Sequence, residues 1–355
     1  MTSICSYLRP DIVSMAGYTP GEQPKVGEIL KLNTNENPYP PSPAALRAIG
    51  SFATPQGAEL LRRYPDPVGV DFCKAAAVAL GVQPENIIIG NGSDDILTIL
   101  TRAFVPQGGT IVSPTPSYLL YETLARLQGA RFVTVPFADN WQLPDPWPQV
   151  GASITYLPNP NSPSGTVVSL DSIRRLVTQL NGPLVIDEAY ADFADGNALE
   201  LVREGLPVVV TRTFSKGYGL AGLRFGFAVA DPALISHLVK VKDSYNCDAI
   251  SLAAATAAIS DQDWLMENRR LVRATRSRLA TELTNLGFEV TPSHANFVWC
   301  RHPSHPAPPL YTALKNEGIL VRLMHYPPHA PGLRITVGTE AGTSRLLAAL
   351  ARLVG

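Results

Sequence analysis

From Asn86 onward, short apolar runs rich in β-branched residues alternate with longer stretches of helical periodicity. The runs are Ile87–Ile89, Thr110–Val112, Ile154–Tyr156, Leu184–Ile186, Val208–Val210 and Phe225–Val229. Segments that are apolar at successive positions, rather than alternate ones, belong to strands covered on both faces. The pattern therefore predicts a largely parallel sheet between layers of helix. Ahead of it, residues 1 to 45 read as an arm with Pro38, Pro40, Pro41 and Pro43 close together, and a helix is predicted over Pro43–Ser51. Beyond Asp231 the texture changes. Helical periodicity fills 232–286, followed by strand-like Asn296–Cys300, a helix near 308–317, extended Ile319–Leu323 and Leu333–Val337, and a last helix from 340. The expected organisation is an N-terminal arm (1–45), a large domain (46–235) and a smaller C-terminal α+β domain (236–355).

Composition narrows the partners. Hydrophobic residues make up 45% of the 355 positions and charged residues 17%, with a formal net charge of -1. Such a chain buries a large core, and its length favours two lobes with a cleft between them. Without a basic surplus or a basic run, neither nucleic acid nor an anionic membrane is an expected partner. Cys5, Cys73, Cys247 and Cys300 show no paired or zinc-type spacing, so reduced thiols, no metal site and a cytoplasmic location are expected. No apolar stretch has the length of a signal-peptide core at the start or of a bilayer span elsewhere, and a soluble chain is expected.

Candidate chemistry concentrates in Arg212-Thr-Phe-Ser-Lys-Gly-Tyr-Gly-Leu-Ala-Gly-Leu-Arg224. Of the seven lysines in the chain, Lys216 alone has a glycine-rich partner segment. Gly217, Gly219 and Gly222 let the backbone approach a ligand, Ser215 and Arg224 can hold a phosphate, and a desolvated amine near Arg224 has more free base. These are the needs of a lysine that takes up pyridoxal phosphate (PLP) as a Schiff base. A lysine in a solvated turn is the plainer alternative, and the surroundings weigh against it. Asp187-Glu-Ala-Tyr190 follows Leu184–Ile186, at the sheet edge where α/β proteins bind ligands. Asp187 can pair there with a protonated pyridine nitrogen, and Tyr190 can reach the ring hydroxyl. The separation, 216 minus 187 or 29 residues, suffices for one crossover that returns Lys216 beside Asp187.

Gly90-Asn-Gly-Ser-Asp-Asp95 reads as a strand-to-helix turn whose free amides suit a phosphate, although Ser93 or Asp94 could equally cap the helix. Tyr118 can stack on a ring or fill the core. Arg322 and Arg334 lie on or beside short apolar strands, where a guanidinium requires an anion, either internal or from a substrate. For Arg334 the substrate is favoured; for Arg322 both options stand.

In chain order, Leu32-Asn-Thr-Asn-Glu-Asn-Pro38, Arg63-Tyr-Pro-Asp-Pro67, the turn at 90–95, Asn159 to Gly165, Asp187 to Tyr190, Ser215-Lys216, Leu220-Ala-Gly-Leu-Arg224 and Leu333 to Thr339 resemble the class I/II aminotransferases of the PLP fold-type I superfamily. The resemblance implies an α/β fold, with a mostly parallel seven-stranded sheet in the large domain and a smaller α+β domain. It implies Lys216 as the Schiff-base lysine and proton shuttle, Asp187 at the ring nitrogen, Tyr190 at the ring oxygen and Tyr118 stacked on the ring. Gly92, Ser93, Asp94, Ser215 and Arg224 are implied around the phosphate. Tyr64 is implied to reach that phosphate from the neighbouring subunit of a homodimer, Tyr18 to cover the substrate, and Arg334 to hold the amino donor's carboxylate.

The family has asparagine immediately before its proline-small-glycine triplet, where this chain has Ser162. The ring-oxygen contact then falls to Ser162, to Asn161 shifted into the role, or to Tyr190 alone, and Asn161 is retained as a candidate. The implied reaction is a ping-pong transamination between a phosphorylated amine, histidinol phosphate, and a 2-oxo acid, 2-oxoglutarate, in histidine biosynthesis. Arg322 and Arg334 would accept phosphate and carboxylate in turn. Rival readings are an aromatic amino-acid aminotransferase, a decarboxylating relative acting on threonine phosphate, and a non-catalytic PLP-binding protein.

Overall fold

The computed structural model describes residues 4–15, 17, 21–23, 29–327 and 330–355. All six apolar runs are strands of one seven-stranded sheet: β1 Ile87–Gly90, β2 Thr110–Thr115, β4 Ile154–Pro158, β5 Leu184–Asp187, β6 Val208–Thr213 and β7 Gly226–Val229. The seventh, β3 Arg131–Pro136, has no apolar run because it is the edge strand, paired only with β2 and open to solvent at Arg131, Thr134 and Pro136. Strand order is β1-β7-β6-β5-β4-β2-β3, and β7 alone runs against its neighbours. Alternate residues feed two cores. Ile87, Ile89, Leu184, Ile186, Val208 and Val210 enter one, while Ile88, Val185 and Val209 enter the other, as expected of strands covered on both faces.

A four-stranded antiparallel sheet forms from β8 Glu289–Thr291, β9 Phe297–Arg301, β10 Arg322–Met324 and β11 Gly332–Thr336, in the order β10-β11-β9-β8. It packs with helices Gln262–Asn285, Ala307–Asn316 and Glu340–Val354 around a separate apolar core. The helical periodicity of 232–286 is divided into Pro232–Leu238, Ala249–Ser260 and Gln262–Asn285. Aspartates set the breaks: Asp231, Asp248 and Asp261 each accept a hydrogen bond from an amide of the first turn that follows. Helix Ala249–Ser260 packs on Pro43–Ser51 and Val70–Leu80 and gives Leu252, Ala255, Ala258 and Ile259 to the core of the larger sheet. The arm is tied to the smaller sheet's side of the molecule. Leu30–Lys31 pairs in parallel with Ile319–Leu320, and Leu32 is buried in the smaller core. Among the described residues no helix is long and apolar enough to cross a membrane.

Candidate active site

Strand direction brings the candidate residues to one edge. β2, β4, β5 and β6 are mutually parallel. They end at Thr115, Pro158, Asp187 and Thr213, and the loops that follow carry Tyr118, Ser162, Tyr190 and Lys216. The reversed β7 begins where its neighbours end, so Arg224 just before it reaches the same edge. A cavity of about 220 Å³ opens there, lined among others by Ser93, Asp94, Tyr118, Ser162, Asp187, Tyr190, Ser215, Lys216, Arg224, Arg322 and Arg334.

Lys216 Nζ donates to the carbonyl of Thr34 at 2.9 Å and lies 5.8 Å from the centroid of the Tyr190 ring. Burial, helped by the charge of Arg334, lowers its pKa to about 8 from 10.5. A useful fraction of free amine thus exists near neutral pH. The peptide after the lysine is held in place, because Asn37 Nδ2 donates to the carbonyls of Lys216 and Gly217 at 3.0 and 2.9 Å. Asn33 and Asn35 alternate with it along the arm. Asn35 Nδ2 donates to Tyr190 Oη at 3.0 Å, and the carbonyl of Asn33 accepts from Arg334.

Asp187 is 5% exposed. It accepts from Tyr121 Oη at 2.8 Å, from the Ala189 amide at 3.2 Å and from Thr211 Oγ1 at 3.4 Å. Burial, with the negative charge of Asp94 adding to it, raises its pKa to about 6 despite those donors. A buried carboxylate with neutral donors only is arranged to receive a cation. Tyr118 donates to Asp94 at 3.3 Å and meets Tyr121 edge-on, so its ring stands over the same part of the cavity.

At the other end of this region, helix Ser93–Phe104 starts at Gly92 with no side-chain cap. The cap by Ser93 or Asp94 that the sequence allowed is not made, and Ser93 and Asp94 line the cavity at a helix start, where uncapped amides suit an anion. Gly92 has a φ of 86°, and a Cβ there would meet Arg224 Nη2 at 2.7 Å. Arg224, itself in the left-handed region at 53°, donates to Ser215 Oγ at 3.2 Å and lies 3.5 Å from Asp94.

On the far side, Arg322 and Arg334 are directly opposite each other across β10 and β11. Arg334 donates to Ser162 Oγ at 2.9 Å and to the carbonyl of Asn33 at 3.2 Å, and its Nε is buried without a hydrogen-bond partner among the described residues. Like charges at facing positions destabilise a sheet, so a bound anion would relieve the pair.

Two of the described candidates do not line the cavity. Asn161 does not line the cavity; its Nδ2 donates to Pro116 O at 3.2 Å and Ser164 Oγ at 2.8 Å, turned inward by the turn that points Ser162 outward. Of the two neighbours, Ser162 lines the cavity and Asn161 does not. Tyr64 is outside the cavity, 80% exposed and stacked on Tyr245 with centroids 4.4 Å apart. Tyr18 lies outside the described residues. Sequence reasoning missed Tyr121, Thr211 and Asn35. The alternation of asparagine at 33, 35 and 37 was the available signal for the last; Tyr121 and Thr211 look like ordinary core and strand residues.

These features fit PLP, the cofactor the resemblance implied: a helix start without a side-chain cap beside Arg224 and Ser215 for a phosphate, a buried carboxylate held by neutral donors for a ring nitrogen, and a lysine with a lowered pKa in the same cavity. The profile of the family described as aminotransferase class I and II matches residues 27–350. The chain belongs to this family. It is 53% identical over 335 residues to a histidinol-phosphate aminotransferase of Rhodopirellula baltica, covering 94% of this chain and 91% of that one. It is 46% identical over 347 residues to histidinol-phosphate aminotransferase 1 of Trichormus variabilis, covering 97% and 98%. Among solved structures, the histidinol-phosphate aminotransferase of Sinorhizobium meliloti in complex with pyridoxal-5'-phosphate superposes with a TM-score of 0.82 at 29% identity, over 98% of each chain. As an aminotransferase of this family, the chain presents its converging lysine, aspartate and arginines at the expected edge of an α/β sheet.

Proposed function

We propose that the protein is a PLP-dependent aminotransferase of histidine biosynthesis that exchanges the amino group between histidinol phosphate and 2-oxoglutarate. The observation that carries the substrate reading is the facing pair Arg322 and Arg334, across the cavity from Lys216. Two guanidiniums in one site suit reactants that bring an anion at a fixed distance from the amine, a phosphate in one and a carboxylate in the other. The two histidinol-phosphate aminotransferases to which the chain is 53% and 46% identical support the same substrate.

Bound PLP supplies an electron-poor ring that stabilises negative charge on the substrate carbon bearing the nitrogen. The chain's residues provide the rest. Lys216 would hold the cofactor through its amine, and as a free amine it would carry a proton to and from the substrate carbon. Asp187, when ionised, would hold a ring nitrogen in its protonated form, and Tyr121 and Thr211 orient the carboxylate. Tyr190, positioned by Asn35, is assigned to the ring oxygen, with Ser162 beside it, and Tyr118 to the ring face. Gly92, Ser93, Asp94, Ser215 and Arg224 would hold the phosphate.

The same reading makes the enzyme a homodimer with shared sites. The exposure of Tyr64 supports its reaching a partner's phosphate. A cytoplasmic location is supported by the unpaired cysteines Cys5, Cys73, Cys247 and Cys300.

The deciding experiment compares histidinol phosphate with phenylalanine as amino donor in single half-reactions followed by cofactor absorbance. Higher kcat/KM for histidinol phosphate is expected. A large preference for phenylalanine would overturn the assignment in favour of an aromatic aminotransferase.

A further inference from the structure

Three carboxylates line the cavity, and the proposed reaction uses only two of them. Asp187 and Asp94 belong to the ring nitrogen and the phosphate end. Glu36 enters from the arm and lines the same cavity as the arginines. Thr34 Oγ1 donates to its Oε2 at 2.6 Å, and Lys31 Nζ donates to its Oε1. Thr34 adjoins Arg322, since a Cβ added at Gly21 would meet Thr34 Cγ2 at 2.3 Å and Arg322 Nη1 at 3.4 Å. Burial pushes the Glu36 pKa up, but the bonds from Lys31 and Thr34 outweigh it and hold the carboxyl below its usual value. The group is therefore ionised at neutral pH. A carboxylate accepts up to about four hydrogen bonds, and with its side chain 40% exposed Glu36 keeps capacity for another donor.

Several other polar groups on this side lack an acceptor atom or already accept a hydrogen bond. Arg322 and Arg334 have no acceptor atoms. Ser162 Oγ and the Asn33 carbonyl accept from Arg334, and the Thr34 carbonyl accepts from Lys216. When a phosphorylated amine places its anion on the arginines, the remaining part of histidinol phosphate is an imidazole with an N–H to donate. We propose that Glu36 accepts this N–H and is a specificity-determining residue, selecting the imidazole over a phenyl ring of similar size. The proposal rests on the substrate reading above.

A site built to hydrogen-bond a donor rejects the analogue that lacks it because the acceptor is left unpaired. The test uses the holoenzyme and two substrates, histidinol phosphate and its isostere 2-amino-3-phenylpropyl phosphate. The quantity read is the ratio of their kcat/KM values. Because Glu36 is partly exposed, Glu36→Leu, which has no acceptor, is expected to lower the ratio by roughly tenfold rather than by the larger factors of fully buried sites. Lys31→Met, which removes the ion pair but not the acceptor, is expected to keep the wild-type ratio. An unchanged ratio in Glu36→Leu, or an equal fall in Lys31→Met, would overturn the proposal and leave Glu36 as a brace for the arm. If Glu36→Leu does not fold, the wild-type enzyme is assayed with the two N-methylated imidazole isomers of histidinol phosphate; equal use of both isomers and the parent would also overturn it. Failure of the wild type to use histidinol phosphate at all would instead sink the substrate reading, and it is seen before any variant is made.

Discussion

Asp187 is costly to the cofactor-free protein, and this follows from its surroundings. Its pKa rises from 3.8 to about 6 on folding, mainly through burial. A carboxyl with a raised folded-state pKa contributes stability that is full below its unfolded pKa and lost as pH rises through the folded one. The cofactor-free protein should therefore weaken between about pH 4 and pH 6, by up to about 3 kcal/mol. Asp187→Asn removes that loss. The variant is expected to melt at a higher temperature than the wild type at pH 7.5 without cofactor, and at no higher temperature at pH 4, while kcat/KM falls by at least roughly 100-fold because the ring nitrogen loses its counter-charge. Thermal melts at the two pH values check the first expectation and steady-state kinetics the second. Lys216 has the opposite sign, its pKa lowered to about 8 by burial and the charge of Arg334. The rate at which the cofactor-free chain captures PLP should rise with pH through about 8, not through the 10.5 of an ordinary lysine. Lys216→Ala should lose the visible absorption of the bound cofactor while keeping the fold by circular dichroism.

The elements explain why these residues meet and how much of the meeting could be read beforehand. Strands buried on both faces wrote themselves into the chain as apolar runs, so six of the seven in the large sheet were legible. β3 was not, because an edge strand with one neighbour keeps polar residues. Lys216, Asp187 and Arg224 were legible as strand-end residues beside glycines or turns, whereas Tyr121 and Thr211 act through hydrogen bonds to a residue far away in sequence. Asn161 shows the other limit: within a tight turn, one position decides whether a side chain faces the cavity or the core, and spacing alone does not fix it. The close packing of β7 against the phosphate turn gives a test at this scale. A Cβ at Gly226 would meet the Ser93 amide nitrogen at 2.5 Å and the Gly92 carbonyl carbon at 2.6 Å, both backbone atoms that cannot swing aside. Gly226→Ala should push the turn toward Arg224, weakening PLP binding by roughly tenfold and stability by about 1–3 kcal/mol. Cofactor titration of the purified variant measures the first, and denaturant unfolding the second.

At the scale of the whole molecule, the position of Tyr64 decides whether one chain can complete its own site. It lies outside the cavity, exposed and stacked on Tyr245, while the Arg224 and Ser215 that it is proposed to assist are within. If Tyr64 serves a partner's phosphate, a dimer joining one Lys216→Ala chain to one Tyr64→Ala chain contains one wholly intact site. That site has the lysine of the second chain and the tyrosine of the first, and the other site carries both defects. Random assortment of equal amounts of the two chains makes about half of the dimers hybrid, so activity should recover to about one quarter of the wild type. Neither variant alone should approach this level. If Tyr64 instead acts within its own chain, the hybrid has no intact site, and the mixture cannot exceed the residual activity of Tyr64→Ala diluted by the inactive chain. Co-expression with two affinity tags, isolation of the doubly tagged dimer and assay of its half-reaction distinguish the two outcomes, because the purified hybrid should then carry about half of the wild-type activity.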